Sequence, residues 1–164
     1  GILLAQMSRV IEQSNTRSAN ADYLTKMLNR IPGIYPAKLY KGVTKSAYHL
    51  YMFRYDSEKF GGLKIEKFIE AMNREGISCG KGYGKMKKDK YVTDLAKNKH
   101  YLAIYGENYM NQWLERNQCP ENDKLTDTAI WFGQTMLLGP KTDMEQIAEA
   151  ITKIQKNAGE IIKS

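Results

Sequence analysis

The chain has two histidines, and one of them, His49, lies in its densest run of chemically able side chains, S-A-Y-H-L-Y-M-F-R-Y-D at residues 46–56. Read as a strand, this run alternates faces. His49, Tyr51, Phe53 and Tyr55 fall on one side; Tyr48, Leu50, Met52 and Arg54 fall on the other. A wholly buried strand seldom mixes His, Tyr and Arg, because each buried polar tip needs a hydrogen-bond partner. The run therefore predicts a half-buried strand whose histidine and tyrosine tips reach solvent, with His49 the best single candidate for contact with a ligand. A second concentration of chemistry is G-K-G-Y-G-K-M-K-K-D-K at residues 80–90, where Lys81 and Lys85 flank Tyr83. Neither the P-loop spacing nor G-x-G-x-x-G is present, so a nucleotide-phosphate cradle is rejected. What remains is a flexible basic loop directly after a strand, a position where binding residues are often held.

Other chemistries are absent from the pattern. There is no HExxH, no Ser/His/Asp arrangement and no paired-carboxylate signature. Cys79 and Cys119 stand far apart without C-x-x-C spacing or neighbouring histidines, which argues against zinc. Both are read as reduced cysteines of a cytoplasmic protein. Lysines abound, yet none sits in an apolar stretch that would lower its pKa, as a Schiff-base nucleophile requires.

The elements that must position these residues follow from length and periodicity. With 164 residues, 42% hydrophobic and 26% charged, the chain suits one soluble globular domain. No apolar run approaches membrane-spanning length. A helix is expected from Ile2 to about Asn29, ended by Pro32-Gly33. Its first turns, I-L-L-A-Q-M, are apolar almost all round, which predicts burial on several sides. Nearly thirty residues span about 40 Å, longer than so small a domain is wide. With Gly1 in place of an initiator Met, the chain reads as a piece begun inside a larger protein, its helix reaching toward a domain not included. Next come an extended segment at 34–40, a turn at Lys41-Gly42, the 46–56 strand, a breaker at Phe60-Gly61-Gly62 and a helix at 63–74 closed by Gly76. Ile77-Ser78-Cys79 is expected to open a second strand, parallel to the first with a right-handed crossover if the two are neighbours. Residues 91–109 read as an insertion. A helix at 107–117, another from Pro120, a strand at 129–132, a turn at 136–140 and a capping box T-D-M-E (142–145) opening the last helix complete the order. The tail from Asn157 is expected to fray. The fold class is α/β (α+β), with helices covering a small sheet.

Several segments together resemble one family. They are L-L-A-Q-M-S-R-V-I-E-Q-S-N-T-R (3–17), Asn20-Ala21-x-Tyr23-Leu24, Ile31-Pro32-Gly33-Ile34, A-Y-H-L-Y-M-F-R-Y-D (47–56) with Phe60-Gly61-Gly62, and E-G-I-S-C-G-K-G-Y (75–83). Cys119-Pro120-x-x-Asp123, Ala129-Ile130-Trp131-Phe132, Met136-Leu137-Leu138-Gly139 and D-M-x-x-I-A-x-A-I-x-K-I (143–154) close the series. In this order they resemble the linker helix and C-terminal small domain of the DegT/StrS sugar aminotransferases, with residues 91–118 outside the match. The resemblance implies the aspartate-aminotransferase fold, pyridoxal phosphate as cofactor and a homodimer. The implied reaction moves an amino group from glutamate or glutamine to a keto-sugar or keto-cyclitol. It implies residues 1–31 as the linker helix, 32–164 as the small domain, and a missing N-terminal large domain of the same polypeptide that bears the cofactor lysine. This chain is then inactive alone, with no catalytic residue of its own.

The same resemblance places His49 at the rim of the active-site cleft and Tyr83 in the substrate loop of the inosose-type branch. Lys81 and Lys85 then flank that loop, either meeting an anionic substrate or staying solvated. Arg54 matches a strand-end arginine, for which a structural ion pair is expected. A rival reading from another class is a free-standing basic module, gripping single-stranded nucleic acid with Lys81–Lys99 and Tyr83, Tyr91 and Tyr101. The two differ in salt dependence: nucleic-acid binding falls steeply with salt, whereas the aminotransferase reading expects no nucleic-acid partner and no membrane.

Overall fold

The computed structural model describes residues 1–163, which divide into two compact units, residues 1–81 with 128 onward, and residues 82–127. In the first unit, α1 (Ile2–Leu28) runs uninterrupted until Asn29 caps it and Pro32-Gly33 turns the chain. Ala21, Leu24 and Leu28, spaced three and four apart, are fully buried. The apolar start behaves otherwise. Ile2, Leu3, Leu4, Met7, Val10 and Ile11 are 51–80% exposed, so nothing within the chain buries the end that was expected to be enclosed.

The sheet has the order β1-β2-β4-β3 and is antiparallel throughout, from β1 (Ile34–Pro36), β2 (Leu50–Tyr55), β3 (Gly80–Lys81) and β4 (Ala129–Gly133). The expected strand at 46–56 is thus six residues long. β2 and β3 run the same way, but they are not neighbours, because β4 is inserted between them; the condition for a parallel pair fails. The second strand also starts later than expected. Helix α2 (Ile65–Arg74) ends in a Schellman motif with Gly76 at φ +82. There the Ile77 N–H donates to Met72 O at 3.0 Å, so Ile77 is spent on the helix end and pairing begins only at Gly80.

The aromatic face of β2 points inward: Tyr51, Phe53 and Tyr55 are 1–3% exposed. Their tips do not reach solvent. Tyr51 Oη pairs with Thr25 Oγ1 at 2.7 Å, and Tyr55 Oη donates to Leu63 O at 2.8 Å. Phe60, Phe68 and Tyr55 interlock with ring centroids 4.5–5.5 Å apart. Helices α1, α2 and α7 (Lys141–Lys156) and the short α8 (Ala158–Lys163) share this one core. The tail from Asn157 is therefore helical rather than frayed through Lys163, and Ser164 lies outside the described residues. Helix α7 begins at Lys141 behind Pro140, whose φ of −66° suits the position. Thr142 lies inside the first turn and no side-chain cap forms, so the expected capping box is absent.

In the second unit the expected insertion folds as α3 (Lys90–Leu95) and α4 (Lys99–Tyr105). Asp89 and Asn98 cap these two helices through Tyr91 N and His100 N. Then come α5 (Glu107–Arg116) and α6, which starts at Pro120 as expected and runs to Thr128.

Candidate functional site

His49 is exposed at a bend one residue before β2. Tyr48 makes that bend. It has φ +45, the sole non-glycine residue at positive φ among the described residues. Its ring lies over Tyr51, with centroids 6.3 Å apart and planes at 24°. His49 and Lys81 belong to the same unit, but the sheet register keeps them apart. Lys81 pairs with Ile130, which on its other side faces Phe53. Two strand spacings and four residues of strand therefore separate the backbones of Lys81 and His49, on the order of 15 Å.

The carrier of Lys81 is held tightly. Trp131 Nε1 donates to Lys81 O at 2.7 Å, and the indole covers Gly80 so closely that a Cβ there would meet Trp131 Cζ2 at 2.4 Å. Only glycine fits. Lys81 Nζ is itself paired with Glu66 Oε1 at 2.7 Å. The hydrogen bond from Lys81 holds the Glu66 carboxyl below its ordinary value.

Tyr83 and Lys85 belong to the second unit. Tyr83 is 76% exposed. Lys85 Nζ lies 2.6 Å from Asp127 Oδ2, and Lys87 Nζ 2.6 Å from Asp123 Oδ2. The hydrogen bond to Asp127 raises the Lys85 ammonium's pKa, while the one from Lys87 lowers that of the Asp123 carboxyl. Lys90 pairs with Asp94. Helix α6 thus supplies the acids that pair with Lys85 and Lys87, some forty residues away from them in sequence. Tyr101 stacks on Tyr105, Tyr105 on Tyr109, and Arg116 caps the row at 5.2 Å from the Tyr109 centroid. Of the rings in the nucleic-acid reading, Tyr101 is stacked in this row, whereas Tyr83 and Tyr91 are 76% and 72% exposed. Arg54 likewise differs from expectation: its guanidinium lies over the Tyr35 ring at 5.5 Å rather than in an ion pair.

Candidates for covalent chemistry are few. Cys79 is free and buried, and burial pushes its thiol up to about 11, which leaves it protonated and inert at neutral pH. Among the described residues no lysine is buried and no group of acids, histidines and cysteines has metal-site geometry. No helix among them is long and apolar enough to cross a membrane.

The sequence profile of the DegT/DnrJ/EryC1/StrS aminotransferases matches residues 1–121. The chain belongs to this family. Family relatives include the L-glutamine:2-deoxy-scyllo-inosose aminotransferase of Streptoalloteichus tenebrarius, 27% identical over 161 residues. The match takes in 98% of this chain and 37% of that protein. The enzyme of the same name from Streptomyces kanamyceticus is 25% identical over 154 residues, covering 93% of this chain and 35% of its own length. The crystal structure of 3-amino-5-hydroxybenzoic acid synthase superposes with a TM-score of 0.71 at 20% identity, over 93% of this chain and 37% of that one. The chain therefore spans little more than a third of the length of these proteins, and the fold of this family member is that of a part of theirs.

Proposed function

We propose that this chain is the C-terminal small domain of a pyridoxal-phosphate-dependent aminotransferase that moves an amino group from glutamate or glutamine to a keto-sugar or keto-cyclitol. The observation that carries the reading is the family match over residues 1–121, joined to near-complete coverage by glutamine:inosose aminotransferases of which the chain spans about a third. Pyridoxal phosphate supplies the electron sink for amino transfer. The residues present do not fit a site for it, since a Schiff-base lysine needs apolar surroundings and every described lysine is at the surface. The cofactor lysine then belongs to a large domain of the same polypeptide.

The part of this chain is to wall and shape the cleft. His49, in the first unit, carries no bond to another described side chain and is exposed, so it can orient a polyhydroxylated substrate by hydrogen bonding; Tyr83, in the second unit, is by itself exposed and unbonded in the same way. Lys81 and Lys85 reach an anionic group only by leaving Glu66 and Asp127. The exposed start of α1 is a contiguous apolar surface of the kind that marks an interface. It is covered by the large domain and its dimer partner in the whole enzyme. In this chain alone it drives self-association, which sedimentation detects; a monomer that stays monomeric at high concentration contradicts that assignment.

The function is tested on the full-length polypeptide loaded with pyridoxal phosphate. Addition of L-glutamine or L-glutamate is expected to bleach the cofactor's visible absorbance and yield the keto acid. Failure of the polypeptide to develop that absorbance removes the aminotransferase chemistry and leaves the fold.

A further inference from the structure

We propose that Tyr48 is a positioning residue, which takes the core place that strand alternation would give to His49 and so turns the imidazole outward; this rests on the reading above in which His49 meets substrate. His49 shares parity with Tyr51, Phe53 and Tyr55, all 1–3% exposed. A regular strand extended one residue back from β2 would aim the imidazole along that same buried row. Instead the chain turns at Tyr48, at a φ of +45 that a bulky side chain adopts only against strain. Tyr48 and Tyr51 are three residues apart and would point to opposite faces of a regular strand. Here their rings stack, and Tyr51 stacks in turn on Phe132 with centroids 6.2 Å apart and planes at 16°. Tyr48 thus packs against the edge of the core, while His49 beside it is exposed. Two further bonds fix the turn. Tyr48 N–H donates to Ser46 Oγ at 3.3 Å, and Thr25 holds the tip of Tyr51 beneath it. Asn or Gly would adopt this backbone at less cost, but neither supplies the ring that fills the place. The ring sets the direction of His49.

Two measurements test this. In the chain as it stands, the 15N order parameter of the His49 amide is expected to be near the rigid value of about 0.85. It should fall below about 0.6 in Tyr48→Gly, which relaxes the backbone but removes the ring, and stay unchanged in Tyr48→Phe. Equal rigidity in Tyr48→Gly and wild type overturns the proposal. In the full-length enzyme, Tyr48→Gly should lower kcat/KM for the keto acceptor about 100-fold, the scale of a small misplacement of a substrate-orienting group. Tyr48→Phe should retain it, and Tyr48→Gly combined with His49→Ala should fall no further than His49→Ala alone. Multiplying losses in the double variant overturn the positioning role, because they place the effect of Tyr48 elsewhere. If His49→Ala leaves kcat/KM intact, the assignment of His49 to substrate fails, and the order parameters still decide whether Tyr48 holds it.

Discussion

The two units are held by different forces. In the first, rings and aliphatic side chains from four helices and a sheet bury one another completely, Phe68, Phe132, Leu24 and Ile130 among them. In the second, among the described residues, Ala96 and Met110 alone are buried. It relies on caps at Asp89 and Asn98, on the Lys85–Asp127 and Lys87–Asp123 pairs, and on a row of half-exposed tyrosines. Hydrophobic burial scales with area and survives salt and moderate pH change, whereas surface pairs contribute little and are screened. The first unit is a scaffold with large stability; the second is a segment that opens locally at low cost.

The largest break in this contrast should come from Phe68→Ala, which empties the centre of the aromatic cluster. We expect a loss of about 3–5 kcal/mol in urea unfolding of the whole first unit. Met110→Ala should cost about 2 kcal/mol, the low end for a buried methionine, and hydrogen exchange should confine the effect to residues 82–127. A global loss equal to that of Phe68→Ala would show the units to be one cooperative body.

Asn20→Ala should cost the first unit about 1–2 kcal/mol. The Asn20 Nδ2 amide, in α1, donates to Leu137 O at 2.9 Å and Gly139 O at 2.8 Å, and its removal leaves two carbonyls without that donor. The smallest effect sharpens the electrostatic side. The carboxyl of Asp123 is lowered in the folded state, so its pairing stabilises above the unfolded carboxylate pKa of about 4 and is lost as pH falls through the lower folded value. Protection factors in the second unit, taken against the intrinsic exchange rate at each pH, should therefore fall below about pH 4 before those of β2 and β4 do; a simultaneous fall would contradict the division.

The same contrast decided what could be read from the sequence. Helices α1, α2 and α7 and strands β2 and β4 carry apolar periodicity because each buries a face, and periodicity is visible one residue at a time. Helices α3 and α4 bury almost nothing, so they leave no such stripe. The signals they do have are the capping Asp89 and Asn98 and the four-residue spacing of Tyr101, Tyr105 and Tyr109, weaker marks that are readable in principle. At the candidate site, the exposure of His49 was legible and its cause was not, since a tyrosine at positive φ contradicts every local preference. The partners of Lys81, Lys85 and Lys87 were invisible because Glu66, Asp127 and Asp123 lie fifteen to forty-two residues away. Gly80 announces a close approach only once the indole of Trp131 is known to be there.

The insertion of β4 between β2 and β3 also sets a timetable for synthesis. One edge of β2 has no partner until residues 129–133 leave the ribosome, and the whole second unit is made in the interval. At ~5–20 residues per second that wait lasts roughly 4–15 s. Throughout it, L-Y-M-F-R-Y presents an open, aromatic strand edge of the sort that recruits other nascent chains. Arg54, third from last in that exposed segment when Asp56 is counted, is the charge that interrupts it.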